Sequence, residues 1–230
     1  MARTKGKRNS NYDQVRRELI DKVRWRLAEE NATGASLREL AASAGVTIPT
    51  IRHYFGSREE LVEAVMRDNL ELGRVPIASL AVASGEFADS IQAAVQQMAN
   101  GFRFGRVGEV LSIGLVEGLR NRKMGPCCVE SILEPAIQAL RERFERHIVL
   151  GQMRKCNARH AAIELFSPIV LAFLHQNELS GANAFPLELD VFLDDHVENF
   201  VRAYQPEESP ASQQQSTGWE SAPIPGEPSV

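Results

Sequence analysis

Three helix-start signals fall within 22 residues, between Ser36 and Ser57. Ser36 with Glu39, and Ser57 with Glu60, each have the spacing at which a hydroxyl accepts from the third helical N–H while the carboxylate accepts from the capping residue's own N–H. Thr47, between them, is a natural N-cap. A chain that must start three helices so close together can only make short ones joined by tight turns. Counted from Leu37, Ala41 stands fifth, Gly45 ninth and Ile51 fifteenth. That spacing puts a small residue where two helices cross, and a glycine where the turn demands a left-handed backbone. It also points a β-branched side chain back between the helices. Leu40, Val46 and Phe55 complete a minimal core with Ile51. The pattern predicts a helix-turn-helix; an αα-hairpin that serves only as packing is the alternative.

The rest of the chain also reads as helical. Val15, Leu19, Val23 and Leu27 make an apolar stripe on a first helix of about 20 residues that starts near Ser10 or Asn11 and is broken by NATGA at 31–35. The helix begun by Ser57 is expected to end near Leu72. Further helices are expected over 87–102, 107–119, 126–150 with a kink at Pro135, 158–176 interrupted at Pro168, and 187–204. No period-two alternation flanked by turns occurs, so the fold class is all-α. The expected organisation is a basic arm over 1–10, a helix-turn-helix domain over 11–56 and a helical body over 57–204. A Pro/Ser/Gln-rich tail over 205–230 is expected to be disordered.

Charge separates these parts. Residues 1–58 hold 12 Lys or Arg against 6 Asp or Glu, whereas the remaining 172 hold 14 against 24. A cationic quarter on an anionic body suggests that only the N-terminal part meets a polyanion. No apolar run reaches the roughly 18–20 residues that span a bilayer, and the N-terminus lacks a signal-like apolar stretch. The protein is therefore expected in the cytoplasm, away from membranes. Three cysteines, two of them adjacent (Cys127, Cys128, with Cys156), form no disulfide framework. His147, Cys156 and His160 are too irregularly spaced for a metal site, and neither a metal nor a cofactor is expected.

The segment SLRELAASAGVTIPTIRHYFGSREELVEAV resembles the DNA-binding segment of TetR-type transcriptional regulators: helix, Gly-Val turn, short recognition helix, aromatic pair and Ser-basic-Glu start of the next helix. The likeness is specific over about residues 12–66 and extends beyond only as architecture. It implies a homodimer that binds a palindromic double-stranded operator, usually as a repressor, and releases it when a small-molecule effector occupies the body.

The residues themselves suggest how such a head reads DNA. With Ile51 and Phe55 inward, Ile48, Pro49, Arg52 and His53 are expected outward, at the N-terminal end that enters the major groove. Pro49 suits a first turn, where its missing N–H loses no partner. Ile48 could meet a thymine methyl, and Arg52 either a guanine or a phosphate. His53 could do either, while Thr47, at the helix start, is suited to a phosphate; Thr50 and Ser36 are counted with these as DNA-binding candidates. The resemblance gives Tyr54 a phosphate contact, with a partly buried core ring as the other reading. At Arg52 relatives usually carry an aromatic phosphate contact, which leaves its role open, with a lean towards base reading. At Arg58 they carry lysine, and Arg58 is expected to keep that residue's phosphate. Ahead of the first helix, Arg3, Lys5, Lys7 and Arg8 could track the DNA backbone or form a solvated tail.

For the body, an effector pocket between helices could draw on Phe102, Phe104, Leu115, Glu117, Leu119 and Phe173, although core packing is the commoner role for each. The last two helices are expected to form the dimer interface through Leu165, Ile169, Phe173, Phe192 and Phe200, with burial inside one subunit as the alternative. Two other functions compete with a regulator: a helical partner-binding adaptor that no longer reads DNA, and, with nothing in its favour, an α-helical enzyme.

Overall fold

A computed structural model describes residues 5–29 and 34–206, with side chains from residue 11 onward. Eleven helices appear among them, with no strand. Helices α1 (Lys5–Ala28), α2 (Leu37–Ser43) and α3 (Ile48–Phe55) make the head, and α4 (Arg58–Leu80) leads out of it. The body holds α5 (Phe87–Phe104), α6 (Val107–Arg120), α7 (Gly125–Cys128), α8 (Glu134–Val149), α9 (Ala158–Phe173), α10 (Gly181–Ala184) and α11 (Leu189–Tyr204). Because α1 starts at Lys5, Lys5, Lys7 and Arg8 lie on a helix and not on an arm ahead of it. Arg3, most of the NATGA break and the tail from 207 lie outside the described residues.

Two cores organise the chain, and α4 belongs to both. Leu19, Ile20 and Val23 of α1 pack with Leu40, Ala41, Ile51 and Phe55 and with Leu61, Val62 and Val65 of α4. This head core continues through Met66 to Ile113, Met124, Cys127 and Cys128 of the body. The second core gathers Ile91 and Val95 of α5, Leu140 and Phe144 of α8, Leu165, Ile169 and Phe173 of α9, and Leu193, Val197 and Phe200 of α11, with Leu80 of α4.

The prolines act differently from their sequence signal. α4 runs through Pro76 to Leu80, two turns past the expected end, because Leu80 is buried and Arg143 holds the last carbonyls. Ahead of Pro135 the backbone widens into a π-turn over Val129–Leu133, in which Glu134 N–H reaches back to the Val129 carbonyl. That turn accommodates a ring that cannot donate and crowds the preceding carbonyl. α9 continues through Pro168 and passes into a second π-turn over Leu174–Glu178.

A candidate DNA-binding head joined to a body cavity

Each cap forms as its spacing predicts. Ser36 Oγ accepts from Glu39 N–H, and Glu39 Oε2 accepts from Ser36 N–H at 2.7 Å. Ser57 and Glu60 repeat the arrangement at 3.1 and 2.7 Å. Hydrogen bonding to Ser36 lowers the Glu39 carboxyl below its usual range. Thr47 Oγ1 accepts from Thr50 N–H at 3.4 Å and lies 2.9 Å from Thr50 Oγ1. Pro49 sits in the first turn of α3, where its missing N–H costs nothing. Gly45 has φ +71°, and a Cβ there would meet nothing within 4 Å. The glycine is thus required by the sign of φ and not by space. Lys22 Nζ donates to the Ala44 carbonyl at 3.3 Å, closing the end of α2 from α1.

With Ile51 and Phe55 buried, α3 presents Thr47, Pro49, Arg52 and His53 to solvent, while Thr50 is half-buried. Ile48 departs from its outward assignment: it is half-buried and packs on the head core, leaving only part of its surface free. Tyr54 also packs on that core. Its ring lies 4.7 Å from Tyr12 and 5.1 Å from His53, an aromatic trio that joins the start of α1 to the end of α3. Tyr12 was not singled out in the sequence, although it lies three residues ahead of Val15 on the α1 stripe.

Arg58 is turned away from the expected phosphate. Its Nη1 and Nη2 grip Glu117 of α6 at 2.8 and 2.6 Å, and Nε donates to the Ala35 carbonyl at 2.6 Å. The Glu117 hydrogen bonds lift the Arg58 guanidinium further above its ordinary range. Sequence spacing hides this pair, since 59 residues separate the partners. A second tie runs from Arg24 of α1 to Asp68 of α4 at 2.6 Å.

A cavity of about 360 Å³ opens beside these ties. Its walls come from α4 (Leu72, Pro76, Ile77), α5 (Met98, Gly101, Phe102), α6 (Val107, Leu111), the π-turn (Ile132) and α9 (Phe166, Val170), with Arg24 reaching it from the head. One end of α6 therefore lines the cavity, while Glu117 near the other end holds the head.

Residues 25–65 match the family model described as bacterial regulatory proteins, tetR family. The head is therefore similar to the DNA-binding segment of tetR-family regulators, over 41 of the 230 residues. A curated relative, the HTH-type transcriptional regulator PksA of Bacillus subtilis (strain 168), is 38% identical over 53 residues, which are 23% of this chain and 26% of PksA. The sequence likeness to PksA thus spans about a quarter of either protein. The fold likeness is wider. A structure from Mesorhizobium loti MAFF303099, assigned to the TetR-family transcriptional regulators, superposes with a TM-score of 0.70 at 19% identity, over 85% of this chain and 98% of that one. SmeT, the repressor of the Stenotrophomonas maltophilia multidrug efflux pump SmeDEF, gives 0.62 at 16% identity, over 84% and 91%.

In the body, the residues expected at the pocket are mostly elsewhere. Phe102 lines the cavity, and Phe173 stacks on it at 4.8 Å from within the core. Phe104 and Leu119 are 80% and 84% exposed, Leu115 is half-buried off the cavity wall, and Glu117 is occupied by Arg58. Leu70, Ile77, Met98 and Leu111 line the cavity instead. They were missed because one apolar stripe serves core and cavity alike. The expected interface residues are corrected similarly: Leu165, Ile169, Phe173 and Phe200 are buried inside the subunit, and Phe192 is half-buried against the same core. The apolar side chains left outward here are Ile163 and Leu171 of α9, with Leu179, Phe185, Leu187 and Val191 nearer α11.

The remaining polar candidates are structural. His147 is buried between Gln152 and Ser90 at 2.7 and 2.8 Å, and burial lowers its pKa. Cys127 and Cys128 are buried and unpaired, and burial pushes the Cys128 thiol up. Among the described residues no group of His, Cys, Asp and Glu is placed to hold a metal, and no helix is long and apolar enough to cross a membrane.

Proposed function

We propose that this TetR-family regulator binds a palindromic double-stranded DNA operator as a homodimer and acts as a repressor that a small molecule releases. The observation that carries this reading is the exposed N-terminal face of α3, with Thr47, Pro49, Arg52 and His53 standing clear of a fully buried hydrophobic core. A recognition helix needs such a rigid, polar edge to reach base edges. Ser36 and Thr47, at exposed helix starts, are placed for flanking phosphates. Arg52 has no partner among the ion pairs of the described residues, so it is free to read a base. SmeT is itself described as a repressor, which supports the direction of regulation.

Arg58 suggests how the body reaches the head. A cation in the first turn of a helix opposes the helix dipole and requires an anion beside it. Glu117 serves as that anion in the free protein, and a DNA phosphate would serve it on the operator. A ligand that displaces the cavity end of α6 would shift Glu117 and so change the cost of that exchange. The partner subunit is expected on the outward face of α9, at Ile163 and Leu171.

The test is fluorescence anisotropy with a duplex from the region upstream of its own gene and a scrambled duplex, each at two salt concentrations. Tighter binding to the upstream duplex at both, weakening steeply with salt, is expected. Equal binding to both duplexes would count against an operator at that site. Arg52→Ala should erase discrimination more than affinity if Arg52 reads a base, and Leu171→Glu should yield monomers in light scattering.

A further inference from the structure

The charge balance around the cavity narrows what it can hold. Its polar wall consists of Arg24, Asn69, Gln97, Arg106 and Ser131, and no Asp or Glu of the described residues lines it. Two arginines on an apolar wall first suggest a carboxylate or phosphate ligand. Their partners argue otherwise. Arg24 gives Nη1 to Asp21 at 3.1 Å and Nη2 to Asp68 at 2.6 Å. Arg106 holds Glu109 through Nε at 2.8 Å, and its guanidinium carbon lies 3.9 Å from the centre of the Trp25 ring. Two guanidinium charges therefore already face three carboxylates. An anion would give up its hydration for cations that are neutralised in advance. An ammonium ion would find no carboxylate on the wall. What the polar wall offers besides these charges is neutral: the amides of Asn69 and Gln97 and the hydroxyl of Ser131. The complement of neutral polar groups beside neutralised charges is an uncharged oxygen.

We infer that the cavity takes an uncharged, mainly apolar molecule bearing a carbonyl, ether or hydroxyl oxygen, and rejects carboxylates and ammonium ions of the same shape. This rests on reading the cavity as the effector site. Its 360 Å³ has room for roughly a dozen non-hydrogen atoms at about 30 Å³ each. Trp25 supplies a reporter, because the Arg106 side chain that lines the cavity also stacks on its ring.

The experiment uses the full chain with Trp219→Phe, which leaves Trp25 as the remaining tryptophan of two. The neutral dye 1-naphthylamine, small enough for this volume, is bound first. It is then displaced with 1-nonanol, 2-nonanone, nonanoate and nonylammonium, while Trp25 emission is followed in parallel. The alcohol and the ketone are expected to displace it with similar affinity, at least about ten-fold tighter than either ion. The cavity-filling variants Val170→Trp and Ala136→Phe, each checked for cooperative melting, should abolish dye binding. Nonanoate or nonylammonium binding as tightly as 1-nonanol would overturn the charge inference and leave the effector site standing. A ketone ten-fold weaker than the alcohol would overturn the acceptor assignment. Dye that fails to bind the unfilled protein, or that binds both folded filled variants unchanged, would overturn the effector reading itself.

Discussion

Both ends of α4 are held by an arginine, and the two grips differ in kind. At the body end Arg143 of α8, 3% exposed, donates to the Ser79 and Leu80 carbonyls and to the carbonyl and hydroxyl of Ser90. All its partners are neutral, and it sits at a helix C-terminus, where the dipole favours a cation. Burial lowers the Arg143 guanidinium below its ordinary range, yet the hydrogen bonds remain. At the head end Arg58 lies where the dipole disfavours it and relies on one carboxylate, Glu117. The first grip is part of the core. The second is an ion pair for which a phosphate of the proposed operator would compete.

Removing the body grip should have the largest effect. Arg143→Ala strands several buried carbonyls and is expected to cost about 3–5 kcal/mol, measured as a fall in the denaturant midpoint. A loss under about 1 kcal/mol would mean that α4 is not anchored there. At the head end, a double-mutant cycle of Arg58→Gln and Glu117→Gln should give a coupling of about 1–3 kcal/mol in stability. Glu117→Gln should also tighten binding to DNA, because Arg58 no longer leaves a partner behind. Weaker DNA binding by a stably folded Glu117→Gln would break the proposed exchange. Ser57→Ala removes the side-chain half of the capping box beside Arg58 and should cost about 1 kcal/mol in thermal or denaturant unfolding.

The smallest effect sharpens the body end. His147 lies beside Arg143, and burial, the first cause, depresses its pKa below 6.5. The folded state therefore prefers the neutral ring. Its contribution is complete above about 6.5, the unfolded value, and declines as pH falls towards the lower folded value. The denaturant midpoint should drop as pH falls below about 6.5, and His147→Asn should flatten that slope.

The unequal legibility of the sequence follows the same division. Ser36, Thr47, Gly45 and Ser57 could be read directly because capping and backbone sign act within four residues. The expected interface failed because Leu165, Ile169, Phe173 and Phe200 are apolar at helical spacing, and that spacing fits an internal core or a subunit boundary equally well. The cavity failed for a related reason: Leu70, Ile77, Met98 and Leu111 match core residues in every local property. The proline signal at Pro168 was overruled by buried contacts on either side, at Leu165 and Ile169.

The sequence by itself determined an all-α chain, a TetR-type head and the residues of its turn, since short-range hydrogen bonds and helical periodicity decide these. Only the tertiary structure decided that Arg58 meets Glu117 across 59 residues, that α4 is shared by two cores, and that Arg24 and Arg106 reach a cavity with their charges already balanced. Each of these depends on which faces meet, and a side chain carries no local mark of its distant partner.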